Sequence, residues 1–212
     1  MNLFSSLSEL VFPSRCLGCG ALGLEICSNC RRQWHPHLYK RWSDLSPSFP
    51  IFSAIKYSPI AGRVLLAAKE SNLKVADDLI FKALSHSLEK CIDEIGTAFL
   101  LPIPSRKSVS RLRGRQFILD LSERLSLYSG APTFNNLEHT RKVRDQSTLD
   151  LRGRRENLEG ALKSQGYLSG RAILVDDLVT TRATLNEAAR ALRQAGIEVA
   201  AAVTACVAQP LR

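Results

Sequence analysis

The sequence predicts an α/β fold, a parallel sheet covered by helices on both faces, preceded by a small cysteine-bearing head. Three observations carry that prediction. From about residue 51 onward, short apolar runs alternate with segments of helical periodicity. One run, RAILVDDL at 171–178, is followed by an amphipathic segment and then a second apolar run, the pattern of a β-α-β unit. Ahead of all this, four of the six cysteines stand in two CxxC pairs.

Taken in order, IFSAIKY (51–57) reads as a strand. Residues 60–70 and 74–94 read as helices, the second with apolar positions at Val75, Leu79, Ala83, Leu84 and Leu88. AFLLPIP (98–104) is a short apolar run ended by prolines, hence a buried strand. Residues 115–128 are helical again. RAILVDDL is the clearest strand. LNEAARALRQAG (185–196) is the clearest helix, with Leu185, Ala188, Ala189 and Leu192 on one face and Gly196 as its stop. EVAAAVTACVA (198–208) completes the unit. Residues 35–50, with Pro36, Pro47 and Pro50, read as a linker, so the expected division is a head over 1–45 and a main domain over 46–212.

Hydrophobic residues make up 45% of the 212 and charged residues 23%, the balance of a globular chain rather than a disordered or membrane-spanning one. The start, MNLFSSLSELVF, lacks a basic n-region and a small-residue cleavage site and reads as a short amphipathic helix. No apolar stretch is long enough to span a membrane, and a cytoplasmic location is expected. The net charge of +9 points to anionic partners: phosphates, phosphorylated small molecules or nucleic acid. The alternative is a basic surface with no specific partner. Two basic runs contribute: Arg106, Lys107, Arg111, Arg113 and Arg115 in 105–115, and Arg141, Lys142, Arg144, Arg152, Arg154 and Arg155 in 141–155.

Cys16, Cys19, Cys27 and Cys30 form C-x2-C-x7-C-x2-C. Two CxxC pairs on tight turns can set four thiolates tetrahedrally around one Zn2+, a closed site that holds shape rather than doing chemistry. Gly18 and Gly20 suit the first turn because glycine accepts positive φ. Disulfides are the alternative and fit poorly with a reducing compartment. A redox role for a single CxxC lacks its βαβ context. His35 and His37 read as surface residues. Cys91 and Cys206 read as small buried apolar residues.

The stretch ILVDDLVTTRATL, 173–185, carries the functional signal. In an open α/β sheet, ligands bind beyond the carboxyl ends of the strands. Asp176 and Asp177 leave an apolar strand there, with side chains expected on opposite faces. One can reach sugar hydroxyls while the other orients a Mg2+-bound ligand or a neighbouring base. The TTRAT that follows turns into a helix, and its amides, its Thr hydroxyls and the positive helix end make an anion site. Paired aspartates after a strand also occur in phosphoacceptor domains, but there the pair sits early in the chain.

VDDLVTTRAT resembles the phosphoribosyl pyrophosphate (PRPP) signature of type I phosphoribosyltransferases, VDDxxTTGxT. With the four-cysteine head, LPIPSRKSVSRLRGRQ and TRKVRDQSTLDLRGRRENLEGAL, the chain resembles the ComF family over nearly its whole length. The resemblance implies a phosphoribosyltransferase-like domain in which Asp176 and Asp177 bracket the ribose. By it, Thr180, Thr181, Arg182, Ala183 and Thr184 form the 5′-phosphate loop, and Ser105 and Arg106 face the pyrophosphate. The segment 141–155 corresponds to a mobile cover. The implied chemistry is displacement of Mg2+-bound pyrophosphate through an oxocarbenium-like transition state, by positioning and charge stabilisation. The competence association of the family implies a second reading: a non-catalytic DNA-uptake protein binding single-stranded DNA or competence proteins through its basic runs. Those runs are poor in aromatic residues, so such binding would be salt-dependent and indifferent to sequence.

Three departures from the family pattern stand near the expected site. Arg182 replaces the loop glycine, where a non-glycine residue at positive φ costs about 1 kcal/mol and a long side chain can fill the pocket. Alternatively, Arg182 folds over the phosphate as a charge-assisted partner. Weakened activity is the expectation. Gly114-Arg115-Gln116-Phe117 replaces Gly-Phe-Asn-Gln, and Ala68-Lys69-Glu70-Ser71-Asn72 replaces a Lys-Tyr-x-Gly-like segment.

Overall fold

The computed structural model describes residues 15–71, 73–105, 110–111, 113–141 and 157–208. The expected N-terminal helix, Arg106, Lys107 and all of the 141–155 run except Arg141 lie outside the described residues.

In chain order the elements are α1 (Ser28–Gln33), β1 (Tyr39–Trp42), β2 (Pro50–Lys56), α2 (Pro59–Ser71) and α3 (Lys74–Ile95). There follow β3 (Phe99–Pro102), α4 (Phe117–Ser129), β4 (Leu137–His139), β5 (Leu162–Ser164), β6 (Arg171–Val179), α5 (Ala183–Gln194) and β7 (Glu198–Val207). Five strands form one sheet in the order β1-β2-β7-β6-β3. The β2-β7, β7-β6 and β6-β3 pairs are parallel, and β1 joins the edge antiparallel to β2. β4 and β5 form a separate antiparallel pair.

Each predicted strand and helix of the main domain is present, with ends that move by no more than two residues. Residues 39–42, expected within a linker, are instead the edge strand β1, with Tyr39 opposite Ser53 and Trp42 opposite Pro50. The His37 amide donates to the Ala54 carbonyl at 2.7 Å, which extends the pairing toward the head.

Both faces of the sheet are covered, as continuous apolar strands require. On one face α3 and α4 pack against Phe52, Leu100, Ile173, Val175, Ala201 and Val203. On the other, α5 packs Leu185, Ala188, Ala189 and Leu192 against Leu101, Leu174, Val199 and Ala202. Full burial of each Leu, Ile, Val and Phe among them stabilises by about 1.5–3 kcal/mol, so these two layers dominate the energetics. α4 follows β3 and covers the first face; α5 follows β6 and covers the second. The connections leave two neighbouring parallel strands in opposite directions, which opens a crevice between the carboxyl ends of β3 and β6.

Candidate functional site

The crevice is built by register. Pro102 of β3 lies opposite Val175 of β6, and the Ile103 amide donates to the Val175 carbonyl at 2.9 Å. Ser105 therefore leaves the sheet at the same edge as Asp176 and Asp177. Of the described residues that the sequence singled out, Ser105, the two aspartates and the 180–184 turn all come to this edge. Two clefts flank it, of about 350 Å³ along Ser105, Gln116 and His139, and of about 300 Å³ along Asp44, Ala183 and Glu187. Neither is lined by Asp176 or Asp177.

The aspartates differ sharply. Asp177 is 5% exposed and its Oδ2 forms an ion pair with Lys69 Nζ. Asp176 is half-buried, and its Oδ1 accepts the Asp177 amide at 2.9 Å. Burial and then the neighbouring Asp177 charge push the Asp176 carboxyl well above the usual carboxylate range, with Lys69 acting the other way. Burial works against the Lys69 ammonium, but Asp177 and then Asp176 outweigh it and raise it above the ordinary lysine value. Sequence reasoning noticed Lys69 only as part of a departure from the family pattern. It occupies the last turn of α2, a helix that starts after β2 and carries Lys69 to the end of β6.

Arg182 has φ 62 and ψ −1, making it the non-glycine residue with positive φ among those described. It precedes α5 without capping it through its own side chain; the first amide of the helix, that of Ala183, donates to Thr181 Oγ1 in a long bond of 3.4 Å. Its side chain neither fills the crevice nor covers the turn. Nε donates to Asp44 Oδ2 and Nη2 meets Asp44 Oδ1, each at 3.0 Å, a two-pronged pair with the β1–β2 connection. Ala183 turns its methyl away from the turn, against Leu158 and Ala161, while Thr180 is exposed and Thr181 and Thr184 are half-buried. An exposed pair of this kind offsets about 0.2–1 kcal/mol, close to the backbone cost of the left-handed conformation. Arg182→Gly should therefore leave stability within about 0.5 kcal/mol of the natural chain, whereas Arg182→Ala keeps the strain and loses the pair. We expect the alanine variant to melt about 2–4 °C below the glycine variant in calorimetry.

Two of the described arginines of the basic run before α4 are paired with acids. Arg113 pairs with Glu70 at 2.6 Å, and Arg115 holds Asp77 through two bonds of 2.7 and 2.9 Å while stacking on Phe117. Arg111 remains exposed on the wall of the larger cleft. Acids distant in sequence thus meet Arg113 and Arg115 in space, although the run itself carries none.

The four head cysteines converge, with all their sulfurs within 4.8 Å of one another. A tetrahedron with Zn–S bonds of about 2.3 Å has edges of about 3.8 Å. Cys19 Sγ and Cys27 Sγ are 3.8 Å apart. The Cys27 amide donates to Cys16 Sγ at 3.3 Å. Burial raises Cys16, but the amides of Cys27, Cys19 and Gly18 prevail and bring it down to about 6. Burial, then the sulfurs of Cys27, Cys16 and Cys19, push Cys30 up to about 12. Four thiolates cannot coexist here without a cation among them, so the set could hold a metal such as zinc. Gly20 takes φ +77 as the turn requires, whereas Gly18 is needed for space: a Cβ there would sit 2.6 Å from Cys30 Sγ. Arg63 of α2 donates to the Gly18 carbonyl, and Cys16, Ile26, Cys30 and Trp34 join the core that contains Ile60 and Val64. His35 and His37 are exposed, and Cys91 and Cys206 are buried. No described helix is long and apolar enough to cross a membrane.

The sheet, its strand-end crevice and the cysteine cluster define a mixed α/β protein with a metal-competent head. No family model matches the chain. Competence protein F of Haemophilus influenzae is 32% identical over 104 residues, which cover 47% of this chain and 45% of that protein. The chain thus matches less than half the length of this curated relative. Solved structures with a looser overall likeness are adenine phosphoribosyltransferases. One has TM-score 0.44 and 12% identity over 85% of this chain and 89% of its own. The enzyme from Saccharomyces cerevisiae has TM-score 0.40 and 13% identity over 86% and 89%, and that from Thermoanaerobacter pseudethanolicus the same values over 85% and 96%. The sequence match and the cysteine cluster together support a ComF-like family for this chain.

Proposed function

We propose that the crevice between β3 and β6 binds PRPP or a related phosphorylated ribose, and that the four cysteines hold one structural Zn2+. The observation that carries the first reading is the left-handed turn at Arg182, which brings the N-terminus of α5, held only by one long Thr181 bond, to the carboxyl edge of the sheet beside the half-buried Asp176. The amides of 181–184 would take the 5′-phosphate. Asp176 would accept the ribose hydroxyls, and Ser105 would face the pyrophosphate. Asp176 and the hydroxyls of Thr180, Thr181 and Thr184 are hard oxygen donors that suit a Mg2+ carried in with the pyrophosphate. Transfer of the phosphoribosyl group to an acceptor is the chemistry this arrangement supports. Because Arg182 pairs with Asp44, its side chain does not cover the turn, which argues against loss of binding at this position.

The test is a thermal-shift titration with Mg-PRPP. Saturating ligand at about 100 times Kd should stabilise the natural chain by about 2.7 kcal/mol. Asp176→Ala should abolish the shift, and Arg182→Gly should keep it. A natural chain that does not respond, beside a glycine variant that does, would mean that the arginine has closed the site. Salt-sensitive binding of single-stranded DNA in place of any PRPP response would favour the competence reading. Pairing of Arg113 and Arg115 to acids leaves that reading less support than the sequence run suggested.

A further inference from the structure

Two carboxylates in succession at the end of a buried strand repel one another, and a sugar needs only one of them as an acceptor. Asp177 is 5% exposed, Lys69 is half-buried, and Asp176 is the more open member of the pair. The groups that face them are Cys206 on β7 and Arg113 ahead of α4, and Arg113 is already bound to Glu70. Among the described residues, Lys69 is thus the cation that contacts Asp177 directly. We propose that Lys69 is a positioning residue: by closing the ion pair it keeps Asp177 turned inward and leaves Asp176 as the single carboxylate offered to the ligand. The proposal rests on the sugar-phosphate reading of the crevice, but half of its test does not.

Without Lys69, Asp177 is a buried charge with no direct counter-ion among the described residues. The aspartate pair then takes up a proton at higher pH than before, and Asp176 shares that proton. Lys69→Met is expected to move the titration of Asp176, followed by carboxyl carbon NMR in the ligand-free chain, to higher pH. It should also weaken Mg-PRPP about tenfold or more at neutral pH, with recovery toward alkaline pH. Lys69→Met/Asp177→Asn removes both charges and should restore most of the affinity and the stability. Lys69→Arg should retain both in part. The two arms fail separately. If Lys69→Met leaves the Asp176 titration unmoved, the proposal is overturned whether or not PRPP binds. If the natural chain ignores PRPP but the titration moves, the sugar-phosphate reading falls while the charge arrangement stands. Equal loss of affinity in Lys69→Met and in the double variant would overturn the proposal in favour of direct contact between Lys69 and ligand. Should Lys69→Met fail to fold, the comparison of Lys69→Arg and the double variant with the natural chain decides on the same two readouts.

Discussion

Cys30→Ser is expected to abolish the metal binding proposed for the cysteine cluster and to lower the melting temperature by about 10 °C or more. Cys30 is 1% exposed and shares a core cluster with Trp34, Ile60 and Val64, so it links the head to α2. Structural zinc sites return a large binding free energy to folding, and removal of one of four thiolates forfeits most of it. The loss should exceed about 4 kcal/mol, beyond what a substitution at a buried cysteine usually costs. Cys91→Ser supplies the control. Cys91 is buried in α3, where burial pushes its thiol up to about 12, and it plays no part in the cluster. That variant should keep its metal and lose about 1–2 kcal/mol. Metal content per chain together with calorimetry decides the matter. A Cys30→Ser protein with natural metal content and melting temperature would remove the metal from the account.

The second large effect is expected at Glu187, on the face of α5 opposite the sheet-filling alanines. Glu187 is 6% exposed, and its Oε1 accepts the Leu162 amide at 3.0 Å. Arg190 closes the arrangement, with Nε to Glu187 Oε2 at 2.8 Å and Nη2 to the Leu162 carbonyl at 2.9 Å. One carboxylate and one guanidinium thus satisfy both backbone groups of Leu162 and pin the β4–β5 pair to α5. Glu187→Ala leaves a buried amide and part of a guanidinium without partners, a loss of about 2–4 kcal/mol. Glu187→Gln keeps an acceptor and should cost about half as much. Hydrogen exchange at Leu162 provides the local readout: it should speed in the alanine variant far more than exchange in β6 or β7. Equal acceleration throughout would show that the pin is no more than a contributor to global stability.

The parts of this molecule that could be read from the chain are those whose cause is local. The strands β6 and β7 and the helix α5 declare themselves through continuous apolar runs and a clean helical stripe. The cysteine cluster declares itself through spacing alone. β1, β4 and β5 run for four, three and three residues, too short for any period to show, and they exist because neighbours pair with them. The site was half legible. Asp176 and the 180–184 turn follow from the strand-to-helix transition. Lys69 looks like an ordinary helix lysine until β6 arrives more than a hundred residues later. Arg113 and Arg115 look like a basic patch for the same reason, since Glu70 and Asp77 meet them only through the packing of α2 and α3. Nor does the chain announce that Arg182 turns to Asp44, because the partner lies on a connection expected to be mere linker.

The edge strand β1 carries a last consequence. It follows the head directly, and it covers the open side of β2, whose residues Pro50–Ile55 are all buried. Lys40 of β1 pairs with Glu94 of α3 and lies over the rings of Trp42 and Phe52, which ties the strand to the layer beside it. A chain that has lost its metal and loosened this strand would bare an apolar, unguarded rim. Depletion of the metal should therefore show as clumping and precipitation during purification, and as light scattering on mild heating.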